Sequence, residues 1–118
     1  MQLMIERQPC VYILATACNG TLYVGVTSDL VRRVAQHRAG IFGGFTAEKN
    51  IKRLVYWEMA ATMEAAITRE KAIKRWRRDW KRNLIERDNP NWNDLAIGLG
   101  FEPLPSSSGT VDPGTSPG

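Results

Sequence analysis

Five side chains, Tyr12, Tyr23, Arg33, His37 and Glu70, are of the types that phosphodiester hydrolysis would need. That reaction needs a base for the attacking water and a cation for the charge that builds on phosphorus. A phenol titrates near about 10 in water, but adjacent cations favour the phenolate and make it a usable base. The sequence leaves open which of the two tyrosines plays that part. Arginine carries a planar fork that meets two phosphate oxygens at once. Arg33 and His37 lie four residues apart, one turn of a helix, so they are expected to share a face, apart from the apolar positions Leu30, Val34 and Ile41.

The elements that must position these groups can be read around them. Cys10-Val11-Tyr12-Ile13-Leu14 and Leu22-Tyr23-Val24-Gly25-Val26 flank Asn19-Gly20, a strong hairpin signal because both central positions of the favoured turn need positive φ. An even loop puts Tyr12 and Tyr23 on one face of the ribbon. Ser28 is expected to cap a helix over 29–38, with Asp29 at the positive end of its dipole and Leu30 and Val34 inward. Residues 39–50 mix Gly40, Gly43 and Gly44 with Phe42 and Phe45 and predict a loop that substrate would order. A third strand follows at 54–58, rich in β-formers. Thr62 caps a long helix over 63–80, a further helical segment reaches Arg87, and Asp88-Asn89-Pro90 stops it. Trp92 and Leu95 are expected to tuck onto the core, although Trp57 and Trp92 are also candidates for an exposed dimer contact.

The expected class is α/β of the α+β type, a three-stranded antiparallel sheet flanked by helices in the order β-β-α-β-α-α. The expected organisation is a lead-in at 1–9, one domain at 10–101, and a disordered Pro/Ser/Gly-rich tail at 102–118.

Glu70 is the oddest feature of the long helix. On a helical wheel it lies about 40° from Ala66 and about 60° from Ile73, within an apolar stripe that also takes in Ala65, Ala72, Trp76 and Trp80. A carboxylate there must be paired with a neighbouring Arg or Lys, protonated, or bound to a cation. A lone carboxylate suits Mg²⁺, which keeps several of its waters.

Around Glu70 the charge is lopsided. The chain carries +4 overall, but residues 69–87 hold nine basic side chains (Arg69, Lys71, Lys74, Arg75, Arg77, Arg78, Lys81, Arg82, Arg87) against Glu70, Asp79 and Glu86. Such a field suits a polyanion, with Lys71, Lys74, Arg77, Arg78 and Lys81 as candidate nucleic-acid contacts. Cys10 and Cys18 lack zinc-site spacing and are expected to be free thiols in a reducing compartment, the cytoplasm. No stretch has the roughly 18 apolar residues of a membrane span.

At these positions the chain resembles the GIY-YIG nuclease family over roughly residues 10–95. Cys10-Val11-Tyr12 stands where the family has Gly-Ile-Tyr, and Tyr23-Val24-Gly25 where it has Tyr-Ile-Gly. Arg33 occupies the place of the catalytic arginine, His37 follows one turn on, and Glu70 looks like the single metal-ligating glutamate. Arg69-Glu70-Lys71-Ala72-Ile73-Lys74-Arg75-Trp76 and Asn89-Pro90-Asn91-Trp92 are similar to a subgroup of small stand-alone bacterial members.

The resemblance implies an endonuclease using one metal ion, Mg²⁺ (or Mn²⁺), held by Glu70, with nucleic acid as substrate, DNA foremost, in repair or processing. It also implies that His37 positions water or the other tyrosine, and that the phenols, Arg33 and Glu70 meet in one pocket around the ion. With no appended DNA-binding module in view, such a domain would read substrate shape, borrow a protein partner or a second copy, or cut feebly. The competing expectation is a non-catalytic binding or adaptor protein on the same scaffold.

Overall fold

β1 (Cys10–Ala15) is the middle of a three-stranded antiparallel sheet, with β2 (Leu22–Thr27) and β3 (Arg53–Met59) at its edges. All six β1 residues are buried. A strand covered on both faces has no polar side, hence its unbroken apolar run. α1 (Leu30–Arg38) connects β2 towards β3, and α2 (Met63–Arg75), α3 (Arg78–Asp88) and a short 3-10 turn (Leu95–Leu99) follow. This is the α+β class and element order read from the sequence. The computed structural model describes residues 8–41 and 50–104. Most of the expected lead-in, the Phe42, Gly43, Gly44 and Phe45 of the expected loop, and the tail beyond 104 lie outside the described residues.

Alternation along β1 sorts the core into two layers. Cys10, Tyr12 and Leu14 pack with Leu30 and Val34 of α1 and with Ile51, Leu54 and Ala96. Val11, Ile13 and Ala15 pack on the other face with Ala66 and Ile73 of α2, Leu84 and Ile85 of α3, and Trp92. α1 therefore covers one face of the sheet, while α2 and α3 cover the other.

Four local expectations need correcting. The hairpin loop spans residues 16–21, an even number, but only Asn19 has positive φ (57°). Gly20 is needed for close approach instead: its N–H donates to the Ala17 carbonyl at 2.9 Å, and a side chain there would strike Thr16 and Ala17. The cap of α1 is Asp29 and not Ser28. The Asp29 carboxylate accepts from Arg32 N–H at 3.2 Å, and the Asp29 N–H donates to Thr27 Oγ1 at 3.0 Å, which holds the chain in the capping conformation.

The long helix breaks after Arg75, with Trp76 and Arg77 both extended, so Trp80 does not continue the α2 stripe. No Gly or Pro marks the break. Arg78 instead donates to the Asn19 and Gly20 carbonyls at 2.8 and 2.6 Å, tying the start of α3 to the hairpin turn. Trp92 is fully buried and takes no part in an exposed contact; its Nε1 donates to Glu86 at 2.6 Å.

Candidate active site

The β1–β2 register sets the two phenols. Tyr12 faces Gly25 and Leu14 faces Tyr23, so both tyrosines lie diagonally on the α1 side of the sheet, as the even loop requires. Their ring centroids are 6.3 Å apart. Tyr12 lies flat across Gly25, where an added Cβ would stand 2.5 Å from its Cζ and Oη. Glycine is thus fixed at 25 by the ring of residue 12, which links the two tyrosine-bearing triplets physically. Gly25→Ala should destabilise the fold by about 1–3 kcal/mol, the usual cost of overpacking, because Tyr12 is fully buried and cannot swing away. Urea unfolding of the variant checks this, and an unchanged midpoint would contradict it.

α1 supplies the other two groups. Leu30, Val34 and His37 form its buried row, with Arg33 beside them. His37, at 4% exposure, is no helix-surface residue: its Nε2 lies 3.0 Å from Tyr12 Oη, and its ring meets Tyr12 and Tyr23 edge-on at 5.8 and 5.3 Å. The Arg33 guanidinium lies close enough to the Tyr12 oxygen to favour its anion. Tyr12, Tyr23, Arg33 and His37 thus come together in one cluster.

Burial decides how this cluster titrates. Desolvation first, then Tyr23, pushes Tyr12 up to about 12 in spite of Arg33. The expectation that a neighbouring cation would yield a phenolate therefore fails at Tyr12, because the enclosed anion loses more from desolvation than the arginine returns. Burial, and secondarily the Arg33 charge, lowers His37 to about 4. The neutral imidazole can then accept the Tyr12 O–H at Nε2.

A depressed histidine pKa means that the unfolded chain binds the extra proton first. Stability from this source is intact above 6.5 and is lost as pH falls from 6.5 towards 4. Urea midpoints measured across that window should fall on acidification for the wild type and flatten in His37→Gln. Parallel curves would contradict the assignment.

Next to Arg33 opens a polar recess of 160 Å³ lined by Thr27, Ser28, Asp29, Arg32, Arg33 and Gln36. Arg32 and Gln36 were not singled out from the sequence, although their spacing around Arg33 on one helix was the available signal.

Glu70 stands apart from the four. It lies between Ala66 and Ile73 in the buried row of α2, in the layer on the opposite face of the sheet. One carboxylate oxygen is 2.6 Å from Lys74 Nζ, the neighbouring-lysine pair that was one of the expected alternatives. Ala65 and Ala72 are exposed, so the buried stripe is narrower than the wheel suggested and Glu70 is at its middle. α2 lies against the edge strand β2, which carries Tyr23, and against β1.

Among the described residues no three His, Cys, Asp or Glu side chains gather into a cage. A lone carboxylate oxygen donor fits a hydrated hard ion such as Mg²⁺ better than a caged Zn²⁺ or Ca²⁺. Lys74 is half exposed and neutralises the buried carboxylate from the solvent side, so it would compete with such an ion.

Of the candidate nucleic-acid contacts, Lys71 is exposed, Lys74 pairs with Glu70, and Arg77 lies 3.6 Å from Asp79. Arg78 holds the hairpin turn and Lys81 is partly buried. Cys10 (buried) and Cys18 (exposed) are both free thiols. No described helix is long and apolar enough to cross a membrane.

Comparison with known proteins places this geometry. A UPF0213 protein of Haloquadratum walsbyi is 37% identical over 76 residues, which cover 64% of this chain and 85% of that one. A UPF0213 protein of Staphylococcus saprophyticus is 36% identical over 75 residues, 63% and 92% of the two chains. The solution NMR structure of a UPF0213 protein from Bacillus halodurans covers 75% of this chain and 93% of its own at 27% identity, with a TM-score of 0.48. The model of the GIY-YIG catalytic domain matches residues 8–83, which take in the hairpin, α1, β3, α2 and the start of α3. The chain belongs to the GIY-YIG family.

Proposed function

We propose that the protein is a metal-dependent endonuclease that hydrolyses phosphodiester bonds of nucleic acid, DNA foremost, in repair or processing. The observation that carries this reading is the convergence of Tyr12, Tyr23, Arg33 and His37 beside a cationic recess.

In this reading Arg33 holds the phosphoryl group and stabilises the charge that grows on it. Tyr23, the partly exposed phenol, is the one that an attacking water can reach, and it takes the proton. Tyr12, fully enclosed, positions Arg33 and His37. Glu70 would hold the divalent ion through its carboxylate. The chemistry such an ion supplies when bound is neutralisation of a phosphoryl oxygen and of the leaving 3′ oxygen. The free thiols are compatible with the cytoplasm.

Incubating the wild type with single-stranded, duplex, flap and junction substrates, with Mg²⁺, Mn²⁺ or a chelator, tests the reading. Metal-dependent cleavage of at least one substrate is expected, and no cleavage of any would overturn it.

One observation favours a second reading. Glu70 is engaged by Lys74 in the other layer, as in a binding or adaptor protein that has no use for a metal. That reading expects salt-sensitive binding indifferent to Mg²⁺.

A further inference from the structure

Where α2 gives way to α3, two tryptophans share one corner, their rings 6.0 Å apart and edge to face at 75°. Trp76 packs against the core of that layer, whereas Trp80 keeps half of its surface in solvent (50%). With Asn83, Leu84 and Arg87 they line an open recess of 320 Å³. The Arg77 guanidinium stands 5.3 Å from the centre of the Trp80 ring. The nearby acids, Asp79 and Asp88, meet Arg77 and Arg87 only at 3.6 and 3.4 Å on the open surface, pairs that hold these cations weakly.

The surroundings identify the occupant. This ring stands beside Arg77 and Arg87, both exposed, and that positive charge suits a polyanion. Phosphate binding alone accounts for the arginines but has no use for an exposed indole. A flat ring amid cations is the combination that grips single strands, by stacking on bases and tracking phosphates. Inside a duplex every base face is already covered by its neighbours, so this ring can stack only on an unpaired base.

We propose that Trp80, backed by Trp76, stacks an unpaired nucleobase while Arg77 and Arg87 meet the adjoining phosphates. The protein thereby prefers substrates that contain a single-stranded segment. The proposal rests on the nuclease reading for its partner, nucleic acid, and deepens it by naming the substrate class.

The test titrates a labelled single-stranded oligonucleotide, and separately its blunt duplex, into wild type, Trp80→Ala and Trp80→Phe. Chelator is present, so cleavage plays no part. Trp80→Ala should weaken single-strand binding about tenfold, the size of one base–aromatic stack, and leave duplex binding unchanged. Trp80→Phe, which keeps a ring, should retain most of the affinity and shows that the position tolerates change. Wild-type single-strand affinity in Trp80→Ala, or equal loss for single strand and duplex, would overturn the proposal. So would a dimer that becomes a monomer in Trp80→Ala with nucleic-acid binding unaltered, since the face would then be a contact between copies. Because binding is read without catalysis, absent cleavage in the wild type would count against the nuclease reading alone.

Discussion

Replacing Arg33 by alanine should slow cleavage by about 10²–10³-fold while nucleic-acid binding stays close to wild type. The size follows from where the guanidinium stands. It lies close to the Tyr12 oxygen and borders the recess with Thr27, Ser28 and Gln36, so its fork is already oriented before any phosphate arrives. Preorganised charge of this kind acts on the transition state without a reorganisation cost. Binding survives because most of the cationic surface belongs to α2 and α3, far along the chain from residue 33. Arg33→Lys should recover only part of the rate, since a point charge cannot meet two oxygens in a plane. Single-turnover rates together with binding titrations separate the two effects. A binding loss that accounts for the whole rate loss would place Arg33 in substrate affinity instead.

Glu70→Ala should cost about 10³-fold in metal-dependent cleavage, consistent with the several kcal/mol that metal neutralisation supplies. The fold gives this variant an unusually clean interpretation. The change removes the Lys74 pair together with the cost of keeping a carboxylate buried, and installs the best helix former in the middle of α2. Stability should therefore barely move, and lost activity cannot be put down to unfolding. Lys74→Ala is the counterpart: it frees the carboxylate and should lower the metal concentration needed for half-maximal rate. If Glu70→Ala cleaves as the wild type does, the Lys74 pair is the whole role of this residue and the metal lies elsewhere.

What was legible in the sequence was whatever short-range pattern controls. The apolar runs of β1 and β3 and the parity of the hairpin loop were enough to anticipate the sheet and the shared face of Tyr12 and Tyr23. Contacts between distant segments were not legible. Nothing local announces the break at Trp76, because Arg78 is held by carbonyls 58 and 59 residues earlier in the chain. The burial of Trp92 was expected, but not the Glu86 carboxylate that receives its indole N–H. The titration of Tyr12 was misjudged for the same reason: spacing reveals a nearby cation but not the depth at which the phenol lies. The helical wheel put Glu70 inside the apolar stripe correctly, yet it carries no information on which face of the sheet that stripe covers.

The central claim is that the phosphate to be cut sits at the tyrosine cluster and that the basic helices serve to hold the rest of the substrate. Amide NMR spectra of labelled protein, titrated with a short flap DNA in chelator, address it directly. The largest shifts are expected at Tyr23 to Gly25 and along α1 from Arg33 to His37, with weaker ones in α3. Shifts confined to α2 and α3, with β2 and α1 silent, would contradict it.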